Sequence, residues 1–184
     1  MSTGTLLAII IPCALVLIAL LVGLWLFLRH RRLQHEFGSE YELARDEKGG
    51  TLAADRELHS RKQRHDELDL HELPAETRRS YAQEWTQVQE HFVDRPEQAV
   101  GEADALVIRV MRDRGYPTED FEQRVRDLSV EHAQTLDHYR RAHEVQVRQN
   151  RGGAATTEEL RGAMVHYRAL FEELLVPAGS GRKE

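Results

Sequence analysis

The feature that most constrains this sequence is an uncharged apolar run near its N-terminus. The run extends from Thr5 to Leu28 and reads TLLAIIIPCALVLIALLVGLWLFL. Since an α-helix rises about 1.5 Å per residue, a helix over the run would be roughly 36 Å long, which is enough to cross a hydrocarbon core of about 30 Å with some tilt. We therefore predict a transmembrane anchor in residues 1–28, with bilayer contact through residues 5–28.

The flanks of the run predict its direction in the membrane. Arg29, Arg31 and Arg32 follow it directly, whereas the preceding residues MSTG carry no charged side chain. Basic residues concentrate on the cytoplasmic side of membrane spans. We expect a single-pass cell-membrane protein with its N-terminus outside and its C-terminal domain in the cytoplasm.

A cleaved secretory signal is the alternative interpretation of the run, and it would make the rest of the chain an exported helical domain. Such signals have a basic start, an apolar stretch of about 7–15 residues and small residues at the cleavage site. Here the start is uncharged and the stretch is longer, which favours the anchor. The only cysteine, Cys13, lies inside the run, so an intramolecular disulfide is excluded.

The chain after the run is highly charged and acidic. Every Asp, Glu, Lys and Arg follows Leu28, and the formal net charge is -6. Because an acidic body repels phosphate backbones, we expect no nucleic-acid partner. Residues 29–72 read as a basic juxtamembrane flank and a charged, partly helical linker that Gly49-Gly50 interrupts. A dimerising stalk is the alternative there, but coiled-coil heptads do not continue through residues 59–67.

Apolar spacing predicts an α-helical domain over residues 73–175, followed by a disordered tail over residues 176–184. No stretch keeps the period-two alternation of a β-strand. We predict an all-α fold in which a compact bundle of about five helices follows the transmembrane helix and the linker. The positions expected to face the core are Tyr81, Trp85, Val88, Phe92, Ala99, Ala103, Leu106, Val107, Val110, Phe121, Val125, Leu128, Leu136, Tyr139, Val147, Leu160, Met164, Tyr167, Phe171 and Leu174.

Capping patterns predict where some of these helices begin and end. Asp94 with Glu97, and Thr156 with Glu159, each place an N-cap residue three positions before a glutamate, as in a capping box. Gly115 is expected to end the second helix of the domain, because glycine readily adopts the left-handed conformation that follows many helices.

No pattern in the sequence is typical of catalysis or cofactor binding. The zinc-protease HExxH motif, the Glu-x-x-His pair of di-iron helices and a nucleophile elbow are missing, and the glycine pairs lack the Walker lysine. We therefore assign no catalytic, cofactor-binding or metal-ligating residue. The expectation is a protein that is not an enzyme and has no cofactor and no identified small-molecule substrate.

Ten histidines remain as possible metal ligands. His132 and His143 are expected on the apolar face of one helix, about 16 Å apart, which is too far to share an ion. His138 and His166 lie off their apolar faces and are expected to be exposed. A further group of donors is expected to be a solvated charged run with at most weak cation binding: His65, Asp66, Glu67, Asp69 and His71.

Three segments carry a resemblance to other proteins. They are RGYPTEDFEQRVRDLSVEH (Arg114–His132), AMVHYRALFEELL (Ala163–Leu175) and FGSEY (Phe37–Tyr41). Together the chain resembles, over nearly its whole length, a group of small single-span membrane proteins of high-GC Gram-positive bacteria that has no established activity. The resemblance implies the architecture and the location, and it implies no functional residue.

These features lead to the hypothesis of a membrane-tethered, non-enzymatic helical module that binds a protein partner or self-associates. The alternatives are an enzyme or a ligand or metal sensor whose site is assembled between helices, and an exported helical domain. Tyr81, Trp85 and Phe92 bear on this choice. An exposed apolar patch at these positions would favour docking, whereas a polar pocket with perturbed titratable groups would favour chemistry.

Overall fold

The computed structural model describes residues 39–176, and within this range it contains α-helices and turns but no strand. The all-α prediction is confirmed for this part of the chain. The predicted anchor, the residues that directly follow it and the tail after Val176 lie outside the described residues. The helices are α1 (Ser39–Lys48), α2 (Thr51–Asp66), α3 (Ala75–Asp94), α4 (Pro96–Asp113), α5 (Phe121–Leu128), α6 (Ala133–Asn150) and α7 (Thr157–Leu175).

None of the helices between residues 39 and 176 is both long enough and apolar enough to cross a lipid bilayer. The chain divides into two compact units, Met1–Leu58 and His59–Glu184, and the division falls inside α2. The second unit thus begins before Leu73, where the sequence predicts the helical domain to start.

The described part of the first unit contains α1 and the beginning of α2. Gly49 and Gly50 separate the two helices with φ angles of 75° and 151°, values that glycine adopts without strain. The Tyr41 hydroxyl donates a hydrogen bond of 3.0 Å to Asp55 Oδ1. The predicted interruption at Gly49-Gly50 is confirmed.

The second unit is organised around α4, the helix with a broad apolar face of small and branched residues. It packs extensively against both α3 and α7, and α7 packs in turn against α6. The predicted core positions are buried or pack against the core, with one exception. Val147 is only half-buried and lies outside the core, because the face of α6 that packs inward carries Val145 instead.

The two predicted capping boxes have different outcomes. At the start of α7, the Thr156 side chain accepts from the Glu159 backbone N–H, and the Glu159 carboxylate accepts from the Thr156 backbone N–H, as predicted. The prediction for Asp94 is wrong. Asp94 is the last residue of α3, so its backbone is helical rather than extended as an N-cap requires. Arg95 alone links α3 to Pro96, and it caps α4 without a side-chain hydrogen bond.

Gly115 ends α4 as the sequence predicts. Its φ of 95° lies in the left-handed region. The Gly115 N–H donates to Arg112 O at 2.9 Å and the Tyr116 N–H donates to Met111 O at 3.0 Å, which is the hydrogen-bond pattern of a Schellman motif. A Cβ added at this glycine would collide with the backbone carbonyl of Asp69. The turn therefore requires glycine for both its conformation and its close approach.

Candidate functional site

A groove lies between α3 and α7, which both pack on α4 but are not extensively packed against each other. Its volume is about 210 Å³. The lining comes from one face of each helix, because residues three, four and seven positions apart share a helical face. These residues are Trp85, Gln89 and Phe92 of α3, and Arg161, Met164, Val165 and Arg168 of α7.

Trp85 belongs both to the core and to the floor of this groove. Its side chain is 5% exposed, and its ring stacks on Phe171 of α7 with 4.8 Å between the ring centroids. Phe92 is half-buried against the core, whereas Val165 is 61% exposed. The predicted aromatic stripe on α3 is therefore mostly core, as expected, and it also contributes the apolar base of an open surface.

Two arginines border the groove and are only weakly held. Arg161 pairs with Glu158 at 2.5 Å and Arg168 pairs with Glu172 at 2.7 Å, and all four side chains are more than half exposed. Exposed pairs within a helix contribute only about 0.2–0.5 kcal/mol. Replacing these carboxylates by those of another molecule would therefore cost either arginine little free energy.

A polar network occupies the C-terminal end of α7. Glu173 accepts hydrogen bonds from His132 Nδ1 at 2.9 Å and from Thr135 Oγ1 at 2.6 Å. Burial favours the neutral form of Glu173, but the hydrogen bonds from His132 and Thr135 outweigh it and lower the pKa of this carboxyl group. These contacts fix the end of α7 against the beginning of α6.

The network continues through Tyr116. Its hydroxyl donates to Glu131 Oε2 at 3.2 Å and lies 3.5 Å from His132 Nε2. Burial, together with the nearby charge of Glu131, raises the pKa of the Tyr116 hydroxyl. Carboxylate, imidazole and hydroxyl thus follow one another in the order of an acid–base relay. However, Tyr116 is 2% exposed and His132 5% exposed, so the hydroxyl and the imidazole of this series lie away from solvent.

The histidines that the sequence singles out lie in separate environments. His132 belongs to this network, while His143 stacks on Phe121 with 3.7 Å between the ring centroids. Burial lowers the pKa of His143. The two residues do not come together, which agrees with the predicted separation.

The prediction that His138 and His166 are exposed is wrong. Both are half-buried, and their Nδ1 atoms lie 2.8 Å apart. The reason is that α6 and α7 pack side by side, so positions off the apolar face of each helix meet at the junction between them. Periodicity along a single helix carries no signal for this contact, because it depends on which helices become neighbours.

The donors between residues 65 and 71 do not form a site. His65 is buried at 9% exposure, with Nε2 3.9 Å from Glu131 Oε1, which corrects the prediction that it is solvated. His71 Nδ1 lies 3.1 Å from the backbone carbonyl oxygen of Asp69, two residues earlier in the chain. Within residues 39–176, no group of three or more His, Cys, Asp or Glu side chains is arranged to hold a metal ion.

No protein-family model, curated protein or solved structure matches this chain. The choice between docking and chemistry thus depends on the geometry of the two ends of α7. The groove is open and apolar, and its lining contains no carboxylate, imidazole, thiol or hydroxyl group. The polar network contains such groups but is closed to solvent at His132 and Tyr116.

Proposed function

We propose that the chain is a membrane-tethered, non-enzymatic module that docks an amphipathic helical segment of a protein partner in the groove between α3 and α7. The observation that carries this proposal is an open apolar groove, floored by Trp85 and walled by Val165, that no other helix of the unit covers. Amphipathic helices bind in grooves of this kind with their apolar face inward. The tether is the apolar run Thr5–Leu28.

The size and charge of the groove define the partner segment. An apolar cavity of about 150 Å³ holds a benzene molecule, so a groove of about 210 Å³ has room for one large apolar side chain. Arg161 and Arg168 are two helical turns apart on the same face, about 10 Å along the axis. We propose a partner helix with a Leu or Phe anchor and with Asp or Glu residues about two turns apart beside it.

The chain's own C-terminal tail fits the groove less well. The tail has two basic side chains, Arg182 and Lys183, and one acidic side chain, Glu184. Basic side chains do not complement the two arginines that border the groove. A second copy of the chain is the other possible occupant. The oligomeric state of the chain in solution distinguishes a second copy from a different partner protein.

Trp85 provides a direct reporter of groove occupancy. Replacing Trp25 with Phe leaves Trp85 as the only tryptophan of the full-length chain. We expect saturable changes in its fluorescence on titration with a helical peptide that has Leu and Phe at positions i, i+3, i+4 and i+7 and flanking Glu residues. The same peptide with flanking Lys residues should bind at least about tenfold more weakly.

Val165→Asp should abolish peptide binding, because it places a charge in the apolar lining. Val93→Asp is the matched control, since Val93 is 82% exposed on α3 and does not line the groove. Equal binding of the Glu and Lys peptides, or equal effects of the two substitutions, would contradict the proposal. Dissociation of a wild-type dimer by Val165→Asp would instead identify a second copy as the occupant.

The natural partner is sought with a photo-crosslinking residue at Val165, in cells that produce the full chain. A captured segment counts as support only when it is acidic and amphipathic and when Arg161→Glu with Arg168→Glu abolishes its binding. Exchanging the acidic residues of that segment for Lys should then restore binding. Reporter fusions at Glu184 that are active on only one side of the membrane test the cytoplasmic location separately.

A further inference from the structure

His138 of α6 and His166 of α7 form a pair of imidazoles that the docking proposal does not use. Their Nδ1 atoms are 2.8 Å apart, and the ring centroids are 4.8 Å apart. The two helices form the most extensively packed pair in the second unit. The positions of both rings are therefore set by rigid elements rather than by loops, as a preorganised site requires.

We propose that His138 and His166 together bind a divalent transition-metal ion, with water in the remaining coordination positions. Metal–nitrogen distances for imidazole are about 2.0–2.1 Å, so two ligands at 90–105° to each other have nitrogens about 2.9–3.3 Å apart. The observed 2.8 Å separation differs from this range by a few tenths of an ångström at most. The separation of the two Nδ1 atoms is therefore close to that of two imidazole ligands on one ion.

Metal binding changes the tautomer of the pair, because a ring nitrogen that binds a metal cannot also carry a proton. A hydrogen bond between the two Nδ1 atoms places a proton on one of them. When a metal binds, that ring carries its proton on Nε2 instead.

The surroundings narrow the class of ion. Imidazole donors favour Zn²⁺, Cu²⁺ and Ni²⁺ over Mg²⁺ and Ca²⁺, which prefer oxygen ligands. The nearest charged groups, Asp137 and Arg141, form an ion pair of 2.7 Å and so add little net charge. Because only two protein ligands are present, the affinity should be lower than that of a four-ligand structural zinc site.

Copper and zinc titrations of the full-length chain, purified without a histidine tag, test this proposal. We expect one ion per chain by calorimetry, and both His138→Ala and His166→Ala should raise the Kd at least about tenfold. His91→Ala is the matched control, because His91 is also a half-exposed histidine that contacts a neighbouring helix, through Glu102 at 2.8 Å. It should leave the affinity unchanged, and Mg²⁺ should not bind to the pair.

Electron paramagnetic resonance of the Cu²⁺-loaded wild-type chain gives a readout that needs no variant. Two nitrogen donors are expected in its spectrum, and excess Zn²⁺ should raise the melting temperature of the wild type but not of His138→Gln. Absence of binding, a spectrum without coordinated nitrogen, or equal affinities in the wild type and both His→Ala variants would overturn the site. Each of these results leaves the docking groove unaffected, since neither histidine lines it.

Discussion

The part of α7 that lines the groove and the C-terminal turn of the same helix lie in different environments. Between residues 161 and 168, Arg161, Val165 and Arg168 are more than half exposed and line the groove. In the last turn, Glu173 is held by His132 and Thr135. The carbonyl of Leu174 also accepts a hydrogen bond of 3.1 Å from Arg114, whose side chain is 4% exposed.

This difference shows which end of the helix holds the fold together and which is available to another molecule. Buried polar groups that find partners within the chain fix the position of a helix, and removing one partner leaves the other unsatisfied. The groove has apolar residues without a covering element and arginines with exposed, exchangeable partners. The network end therefore fixes the position of α7 within the fold, and the groove end is the surface on which the docking proposal rests.

Trp85→Ala should have the largest effect on stability, because the Trp85 side chain belongs to the core as well as to the floor of the groove. The side chain is 5% exposed and stacked on Phe171. Emptying a large aromatic site costs about 3–5 kcal/mol. Urea unfolding of the full-length chain in mild detergent, followed by far-UV circular dichroism, measures this loss.

Val165→Ala is the control for this comparison, since Val165 lines the same groove but is 61% exposed. Its effect should stay within about 0.5 kcal/mol. If Trp85→Ala also stayed within that range, the assignment of Trp85 to the core would be wrong.

Gly115→Ala tests the turn that positions Tyr116 in the polar network. The left-handed φ of 95° is unfavourable for alanine by about 1–2 kcal/mol, and the collision with Asp69 O forces a backbone shift of similar cost. We expect a loss of about 3 kcal/mol in the same unfolding experiment.

Gly152→Ala separates the two contributions. Gly152 follows α6 with a φ of 78°, but no atom lies within 4 Å of an added Cβ. Its cost should be about 1 kcal/mol, from conformation alone. Equal losses at the two glycines would show that the contact between Gly115 and Asp69 is unimportant.

The positions of the helices and most of their buried faces are predictable from the sequence. Helical periodicity is a local property, so Tyr81, Trp85 and Val88 can be assigned to the core without knowledge of the packing partner. The same locality explains the error at Asp94. A capping pattern in the sequence is compatible with several positions for the start of a helix. Because α3 continues through Asp94, no helix begins at that residue.

The candidate site is only partly predictable, because it depends on the order in which helices pack. The sequence supplies Trp85 and Phe92 as candidate docking residues, but it does not reveal that α3 and α7 flank α4 and leave a groove. The contact between His138 and His166 is missed for the same reason. Both features arise between helices rather than within them.

Glu173→Gln should weaken the network end of α7 by about 1–2 kcal/mol at pH 7, since charge-assisted hydrogen bonds from His132 and Thr135 lose their ionised acceptor. The folded pKa of Glu173 lies below the ordinary value of 4.5. Its stabilising contribution is therefore complete above pH 4.5 and is lost as the pH falls through the folded pKa. Unfolding measured from pH 7 to pH 3 should show a steeper acid loss for the wild type than for the variant.

Glu172→Gln provides the neighbouring control on the exposed face. Glu172 is 59% exposed and pairs with Arg168, so its replacement should change stability by less than about 0.5 kcal/mol. If the two glutamates gave equal effects, the polar network would contribute no more than a surface ion pair.

The smallest effect is expected at the groove end, where Thr156 caps α7. Thr156→Ala should cost about 1 kcal/mol, because the side chain accepts from the Glu159 backbone N–H. Hydrogen bonds from the Thr156 backbone N–H and then from Arg148 lower the pKa of Glu159 to about 2. The contribution of the Glu159 carboxylate to the cap is therefore complete above the ordinary pKa of 4.5, and it is lost as the pH falls from 4.5 through about 2.

Asp94→Ala is the control with the same sequence pattern but no capping role, and it should stay within about 0.5 kcal/mol. Unfolding of both variants at pH 7, followed by circular dichroism, compares them. A loss at Asp94 as large as that at Thr156 would mean that α3 ends earlier in solution and that the start of α4, beside the groove, is not fixed as described.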